Sequence, residues 1–412
     1  MRLLHTSDWH LGHTLHDWAR DEEHAAFFVW LQHTIREQRV DALIVAGDIF
    51  DTANPSAQAL RSWYELLAQL RMQSPELEIV VIGGNHDSPA RLDAANPLLS
   101  ALRIHVVGGM PHRPVGGVFS IAPHTLERLV VPLRRQGEIA AWVAAVPFLR
   151  PVDLPHLQAE DPLIEGVRRV YDEVISFARA RRDPSHAIVA TGHLYMTGTS
   201  LSESSERKIL GGNLHALPAD IFPEDVAYAA LGHLHRPQMV AKRQNVRYSG
   251  SPIPLDASEA EYPHQVQIVD LEGPETREIL SLKTPRSVEI WRVPSGGSLP
   301  VEDLLLALRA LDDRAIAESP SRHPFLEVVA RLTKPEPSLH RKVEEALEGK
   351  KVRLVKITRE LTGTSLPLAE TTTSRTLRDL RPEDVFVERY RRDHEGAGPP
   401  EELLAAFREL LE

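Results

Sequence analysis

Residues 42–51 read ALIVAGDIFD, a short apolar run that ends in a glycine followed by acidic side chains. Residues 79–87 read IVVIGGNHD and repeat this arrangement, with an asparagine and a histidine after the glycines. Continuous apolar runs that stop at glycine are typical of buried strands in parallel sheets. Because ligands of open α/β sheets gather at the carboxyl ends of the strands, the sequence predicts an α/β fold with a polar site along one sheet edge.

Three more apolar runs end in polar side chains of the same kinds. Residues 6–10 read TSDWH, residues 192–193 read GH, and residues 232–235 read GHLH. One such motif is weak because short motifs occur by chance, but five of them at the ends of separate strands indicate a shared metal site. The candidate metal ligands in these stretches are Asp8, His10, Asp48, Asn85, His193, His233 and His235.

The composition narrows the chemistry of this site. The chain has 412 residues, enough for two or three domains, and contains no cysteine. Disulfides, thiolate ligands and a cysteine nucleophile are therefore excluded, which leaves imidazole, carboxylate and amide groups. A mixture of nitrogen and oxygen ligands suits Mn²⁺, iron or Zn²⁺ better than Ca²⁺, which prefers oxygen alone.

The spacing of the candidate ligands indicates how they would share ions. Asp8 and His10 alternate along an extended chain and so face the same way, which lets both bind one ion. Asp48 follows a glycine that permits a sharp turn, and we expect it to bridge two ions. Two divalent ions about 3.5–4 Å apart would activate water and stabilise charge on phosphorus. We expect His86 to be catalytic as a general acid or transition-state stabiliser, with Asp87 orienting its ring.

Charge and hydropathy bear on partners and location. The net charge of −11 gives no broad basic face, so we expect tight DNA binding to need a partner. No apolar run approaches the roughly 18–20 residues that span a membrane, and the first residues do not resemble an export signal. We therefore expect a cytoplasmic protein.

Periodicity predicts the order of domains. Apolar residues at helical spacing, including Phe27, Leu31, Leu60 and Tyr64, alternate with strands over the first half of the chain. We predict a first domain at 1–280, a small α/β capping domain at 281–360, a linker at 361–376 and C-terminal helices at 377–412.

Three features leave their function open. Basic residues between Lys350 and Arg359 either face DNA or form a solvated strand face, and we favour the second slightly. Residues 198–212 either approach a phosphate backbone or connect two elements. The apolar stripe at Leu403, Leu404, Phe407, Leu410 and Leu411 either folds back or binds a partner. The remaining histidines, interpreted as structural or exposed, include His13, His16, His24, His33, His105, His112, His124 and His215.

The five motifs together resemble those of the calcineurin-like metallophosphoesterases. Residues 6–12, TSDWHLG, and 248–255, YSGSPIPL, further resemble the SbcD family of bacterial nuclease subunits. The resemblance implies a two-sheet sandwich flanked by helices and a manganese-dependent enzyme. It implies 3′–5′ exonuclease and single-strand endonuclease activity on DNA double-strand ends and hairpins, in repair, recombination and replication. The implied partner is an SbcC-type coiled-coil ATPase that binds the C-terminal helices, in a heterotetramer built on a nuclease homodimer.

The resemblance also implies ligand assignments. One ion would be held by Asp8, His10, Asp48 and His235, and the other by Asp48, Asn85, His193 and His233. His86 would be catalytic, whereas Asp51 stands where archaeal and eukaryotic relatives tend to have histidine. Two other functions fit the motifs less well: hydrolysis of small substrates such as cyclic nucleotides or nucleotide-sugar lipids, and a scaffold with a vestigial metal site.

Overall fold

The computed structural model describes residues 1–110, 120–155, 157–200, 216–313, 316, 319–334 and 336–362, with 386–387, 389–391, 398–400, 403–404 and 407. The chain divides into two compact units, one of residues 1–330 and 337–359 and the other of residues 331–336 and 360–412. The predicted linker and C-terminal helices lie largely outside the described residues, as do His112, His215 and most of the loop at 198–212.

The elements of the described residues are as follows. The strands are β1 Arg2–Thr6, β2 Thr14–Leu15, β3 Trp18–Ala19, β4 Ala42–Ala46, β5 Glu78–Ile82, β6 Ile104–Val107, β7 Val130–Arg135, β8 Glu138–Ala144, β9 Ala187–His193, β10 Val226–Gly232, β11 Gln238–Val240, β12 Arg243–Tyr248, β13 Gln265–Glu272, β14 Glu275–Lys283, β15 Ile290–Val293, β16 Leu299–Pro300, β17 Phe325–Leu332 and β18 Arg353–Leu361. The helices are α1 Asp21–Glu37, α2 Ala57–Gln73, α3 Pro89–Asp93, α4 Asn96–Ala101, α5 Pro123–Leu129, α6 Pro162–Arg179, α7 Val301–Arg309 and α8 Leu339–Ala346.

Two six-stranded sheets form the main layers of the described part of the chain. The first has the order β14-β13-β1-β4-β5-β6, and the second has the order β11-β12-β10-β9-β8-β7. Strands β1, β4, β5 and β6 run parallel, as do β8, β9, β10 and β12. The parallel runs bring the carboxyl ends of β1, β4 and β5 to one edge of the first sheet, as the sequence predicts. This confirms the α/β two-sheet architecture.

Alternation along the strands gives each sheet two buried faces. Leu3 and Ile44 of the first sheet pack in one cluster with Val189 and Ala229 of the second, which joins the two layers. The neighbouring side chains, such as Leu4, point the opposite way, because successive residues of a strand alternate. They pack against α1 and α2 in a second cluster. Each fully buried aliphatic side chain contributes about 1.5–3 kcal/mol, so the double layer is a firm support for the loops at its edge.

The two long helices of the first half differ in how well the sequence predicts them. Phe27 and Leu31 of α1 are buried, as expected. In α2 the expected Tyr64 is 38 % exposed, and the neighbouring Trp63 is buried instead. The buried stripe of α2 is therefore turned by one residue from the predicted one.

A third, four-stranded sheet lies toward the end of the first compact unit. It has the order β15-β17-β16, with β18 also paired to β17. Helices α7 and α8 accompany it, and their buried side chains include Leu304, Leu308, Leu339 and Val343. The strand and helix order of the predicted capping domain is confirmed, while its boundaries stay a prediction.

In the second compact unit, the rings of Phe386 and Phe407 stack with centroids 4.2 Å apart. Leu403 is 42 % exposed. Across the described residues, every helix is too short or too polar to cross a membrane.

Candidate metal centre

Five loops at the edges of the two large sheets bring the predicted ligands together. Asp8 and His10 follow β1, Asp48 follows β4, Asn85 follows β5, His193 ends β9, and His233 and His235 follow β10. All are buried except Asn85, which is half-buried. Ligand atoms of Asp8, His10 and His235 lie within 4.8 Å of one another, and so do those of Asp48, His193 and His233.

The loop backbones adopt conformations that side chains rarely favour. The φ angles are 55° at Asp8, 47° at His10, 50° at Asp48 and 103° at His233. A positive φ costs free energy in residues other than glycine and persists only where the surroundings enforce it. Here the backbone N–H groups of Asp8 and His10 donate to the carbonyl oxygens of Gly47 and Asp48, both at 3.0 Å. The two loops therefore hold each other in the conformation that points their side chains inward.

Asp48 lies between two groups of candidate ligands. Its Oδ2 atom is 3.2 Å from Nε2 of His193 and 3.5 Å from Nε2 of His10. On the His193 side, Oδ1 of Asn85 lies 2.8 Å from Nε2 of His193 and 3.2 Å from Nδ1 of His233. Nδ1 of His193 lies 3.0 Å from the carbonyl oxygen of Ala46, which fixes the ring so that Nε2 faces the centre.

The other group contains an unsatisfied buried nitrogen. Nε2 of His10 is buried and has no hydrogen-bond partner within the described part of the chain. An unsatisfied buried polar atom costs about 1–3 kcal/mol, so such atoms in native structures call for a ligand. Its neighbours are carboxylates and imidazoles, which are ligands for a divalent cation. The donor set and this nitrogen both fit a metal ion bound by Asp8, His10 and His235.

Two glycines are required by close approach to the ligands. A Cβ atom on Gly47, whose φ is +90°, would lie 2.2 Å from Nδ1 of His193. A Cβ atom on Gly84 would lie 2.2 Å from Oδ1 of Asp48. No side chain fits at either position without displacing a candidate ligand.

The electrostatics of the centre favour bound positive charge. Burial raises the pKa of Asp48, but the facing imidazoles of His193, His10 and His86 outweigh it, and the pKa is lowered overall. Burial lowers the pKa of His193, but the carboxylate of Asp48 outweighs that effect and raises it to about 9. A carboxylate that holds a proton on its neighbour would hold a metal cation in the same place.

His86 lies at the centre, but its ring is not oriented as the sequence suggested. Its Nδ1 atom is 2.7 Å from the carbonyl oxygen of Asp51. The carboxylate of Asp87 instead accepts hydrogen bonds from the backbone N–H groups of Gly84, Ile49 and Phe50, at 2.9–3.1 Å. The expectation that Asp87 orients the ring is corrected: Asp87 joins the loops after β4 and β5. His86 stays a candidate catalytic residue, with His10, Asp48 and His86 ligand atoms within 4.8 Å.

Several residues that support the ligands were not identified from the sequence. Oε1 of Glu259 lies 2.8 Å from Nδ1 of His235, and Oδ1 of Asp51 lies 3.2 Å from Nδ1 of His10. The hydroxyl of Ser7 donates to Oδ2 of Asp8 at 2.5 Å and lies 2.8 Å from the hydroxyl of Ser249. The stretch at 248–255 was the available signal, because it stood out as a motif without a role.

The remaining histidines mostly match the structural or exposed interpretation. His24 is buried with Nε2 2.7 Å from the carbonyl oxygen of Trp9, and His16, His33 and His124 are exposed. His105 is half-buried beside Glu78. His13 departs from the rest, because its Nδ1 lies 3.0 Å from Oδ1 of Asp51, next to the candidate ligands.

The basic residues between Lys350 and Arg359 do not form one exposed stripe. Arg353 is 5 % exposed, and its guanidinium lies over the ring of Phe325 at 3.8 Å. Lys350 donates to the carbonyl oxygen of Leu311 at 2.7 Å. Arg353 therefore belongs to the interior and is not available to DNA.

Comparison with known proteins places this centre in a family. Residues 1–237, more than half of the chain, match the calcineurin-like phosphoesterases, and residues 285–394 match the type 5 capsule protein repressor C-terminal domain. The SbcD subunit of the nuclease SbcCD from Rhodobacter capsulatus is 40% identical over 378 residues, which cover 90% of each chain. The chain belongs to the SbcD family. The SbcD subunits from Escherichia coli K12 and Bacillus subtilis are 37% and 35% identical. These alignments cover 69% and 72% of this chain and 68% and 73% of the relatives.

Membership in the SbcD family defines the kind of chemistry. The chain is a phosphodiesterase-type hydrolase of the metallophosphoesterase class, and this class implies divalent metal ions. The two ligand groups described above lie within the matched residues 1–237.

Proposed function

We propose that the chain is a two-metal DNA nuclease whose ions are Mn²⁺. One would be held by Asp8, His10, Asp48 and His235, and the other by Asp48, Asn85, His193 and His233. The observation that carries this proposal is the position of Asp48, whose Oδ2 lies within 3.5 Å of a histidine from each group. A shared carboxylate between two ligand sets is what a pair of ions about 3.5–4 Å apart requires.

The residues of the chain would position the substrate and move one proton. When bound, the ions would activate a water molecule and neutralise charge on the phosphate. His86 projects beside this centre, with its Nδ1 held by the carbonyl oxygen of Asp51. Since an N–H at Nδ1 donates to that carbonyl, Nε2 is the atom that carries the exchangeable proton. We propose that His86 gives this proton to the departing oxygen of the DNA strand.

The substrate and partners follow from family membership and charge. We propose that the chain acts as a 3′–5′ exonuclease and single-strand endonuclease on double-strand ends and hairpins, in repair, recombination and replication. The relatives are named as subunits of SbcCD, which supports an SbcC-type coiled-coil ATPase as partner and a homodimer within a heterotetramer. A net charge of −11 supports a partner that supplies DNA affinity. We propose a cytoplasmic complex, because its substrate would be chromosomal DNA.

The domain roles are part of the same proposal. Residues 1–280 would form the nuclease domain and 281–360 the capping domain. Residues 361–376 would be a linker, and 377–412 would bind the ATPase. The exposed Leu403 supports the last assignment.

One assay set tests the proposal. The purified chain, with and without its ATPase partner, is given Mn²⁺ with a blunt or hairpin-ended duplex, and separately with bis-p-nitrophenyl phosphate. We expect DNA cleavage that falls about 10²–10⁴-fold in His86→Ala while Mn²⁺ binding persists. His33→Ala, at an exposed position on α1, is the matched control and should cleave like the wild type.

Two results would contradict the proposal. Hydrolysis of the small diester with no cleavage of DNA, even with the partner present, would indicate a small-substrate phosphoesterase. Inertness toward both substrates despite bound metal would indicate a scaffold.

A further inference from the structure

The backbone of Leu255 contacts the groups that support both histidines on the Asp8 side of the centre. Its N–H donates to Oε2 of Glu259 at 2.7 Å, and Oε1 of the same carboxylate lies 2.8 Å from Nδ1 of His235. The carbonyl oxygen of Leu255 lies 2.9 Å from Nε2 of His13. The other nitrogen of His13 lies 3.0 Å from Asp51, the carboxylate that also contacts His10.

The neighbouring carbonyl is held by a buried arginine. Arg20 is 1 % exposed, and its Nη1 donates to the carbonyl oxygen of Pro254 at 2.8 Å. The same guanidinium pairs with both carboxylate oxygens of Glu23, which is 3 % exposed. A guanidinium fixed by three such bonds has little freedom to move, so the position of Pro254 follows that of Arg20.

Arg20 also contacts the third sheet. Its guanidinium lies over the ring of Phe325, the first residue of β17, at 5.0 Å. Arg353 lies over the same ring at 3.8 Å and over Trp18 at 5.6 Å. Phe325 is fully buried in a small cluster with Leu15, Val288 and Val355. The ring thus packs against the segment between β1 and α1, which carries Asp8 and His10 at its start.

The other ligand group is supported from elsewhere. The contact that orients His193 is the carbonyl oxygen of Ala46 at the end of β4, and His233 contacts Asn85 after β5. These contacts do not involve residues 254–259. The two halves of the centre therefore rest on different supports within the described residues.

We propose that Arg20 is a positioning residue that couples the packing of Phe325 to His10 and His235. Through Pro254 and Leu255, the seating of the third sheet sets the two carboxylates that orient these histidines, and so tunes one of the two ions selectively. This inference rests on the proposed two-ion centre. It assigns to residues 248–259, otherwise a motif without a role, the function of an outer support for one ion.

The experiment measures Mn²⁺ binding to the full chain, without DNA. Calorimetric titration gives two dissociation constants, and electron paramagnetic resonance reports the spin-coupled pair. The variants are Phe325→Leu, which keeps an apolar side chain but removes the ring face, and Arg20→Lys. The matched control is Phe177→Leu, because Arg181 lies over the Phe177 ring at 3.4 Å in α6, away from the centre. Thermal unfolding of the metal-free proteins shows that each variant folds.

We expect Phe325→Leu and Arg20→Lys to raise one dissociation constant about 10- to 100-fold, leave the other unchanged and weaken the spin-coupled signal. Phe177→Leu should bind both ions like the wild type. Glu259→Gln should raise the same constant, and the double variant with Arg20→Lys should lose little more, because the two residues act in one chain of contacts.

A folded Phe325→Leu variant with both constants unchanged, or with both raised equally, overturns the coupling. If Arg20→Lys does not fold, Phe325→Leu alone decides. A wild-type chain that binds fewer than two ions contradicts the proposed function itself, which separates that failure from the failure of the coupling.

Discussion

Asp48 contacts both ligand groups, and its environment keeps it ionised. It is 1 % exposed, and Oδ1 accepts the backbone N–H of His86 at 2.9 Å while Oδ2 faces His10 and His193. An amide in its place would keep the shape but lose the negative charge that offsets two cations.

We therefore expect Asp48→Asn to lose both ions. The dissociation constants for Mn²⁺ should each rise at least about 10²-fold, since a shared ligand is lost from both sites. Metal analysis after gel filtration measures the stoichiometry. Retention of a single ion at wild-type affinity would show that Asp48 serves one site only.

Single residues also show how far the sequence could predict the centre. The seven candidate ligands each follow an apolar run, so local pattern was enough to select them, and the structure brings them together. Glu259 is one of 58 acidic residues and lies in a short turn with no periodic pattern. Its contact with His235 depends on the folding of the loop at 250–255, which no local pattern reveals. Asp87 was misjudged because nearness in sequence to His86 does not fix the direction of its carboxylate.

Among the elements, the turn after β4 has the least room for change. Alanine at Gly47 would have to keep a positive φ, at about 1–2 kcal/mol, and its Cβ would overlap the ring of His193. Overpacking of this kind adds about 1–3 kcal/mol. We expect Gly47→Ala to lower the free energy of unfolding by both amounts and to weaken metal binding.

The hairpin turn between β7 and β8 offers a matched control for that variant. Gly137 has a similar φ of +88°, but nothing lies within 4 Å of a Cβ placed there. Gly137→Ala should lower the free energy of unfolding by about 1–2 kcal/mol and leave Mn²⁺ affinity unchanged. Denaturant titration and calorimetry measure both. Equal metal affinity in the two variants would mean that contact with His193 is unimportant.

Elements with a strong period were predictable, and elements with a weak one were not. The pattern of α1 gave the correct buried face. In α2 the adjacent aromatics Trp63 and Tyr64 left two possible faces, and the structure buries the tryptophan, whereas the tyrosine remains partly exposed. The hairpin of β7 and β8 and the strand β14 were missed. Strand β14 is largely exposed, so its sequence carries no continuous apolar run.

At the scale of the whole molecule, a buried histidine joins the two large sheets. Nε2 of His5 in β1 lies 3.2 Å from the carbonyl oxygen of Leu231, and Nδ1 lies 2.9 Å from the hydroxyl of Tyr228, both in β10. The carbonyl can only accept, so Nε2 carries the proton and the tyrosine hydroxyl donates to Nδ1. Burial lowers the pKa of His5 to about 3.

The sign of the resulting pH dependence follows from this shift. The unfolded chain takes up a proton at His5 near pH 6.5, whereas the folded chain does so only near pH 3. The stabilisation is therefore complete above pH 6.5 and is lost as the pH falls, by about 2 kcal/mol at pH 5. In His5→Gln, the drop in unfolding free energy between pH 7 and pH 5 should be smaller by about this amount. Denaturant titrations of the metal-free proteins measure it, and an identical drop in both would contradict the shift.

The association of the two sheets was the part of the fold least accessible from local pattern. β1 pairs with β13 through contacts such as Leu4 with Ile268, more than 260 residues apart. Strand periodicity identifies both strands but not their pairing, because pairing depends on how all layers pack together. The two-sheet arrangement was expected only through family resemblance.

The central claim is that one pair of metal ions is shared across the loops of both sheets. Crystals grown with Mn²⁺ and measured at the manganese absorption edge test it most directly. We predict two anomalous peaks about 3.5–4 Å apart, with Asp48 in contact with both and His10 and His193 on opposite sides. A single peak, or two peaks that do not share Asp48, would contradict the claim.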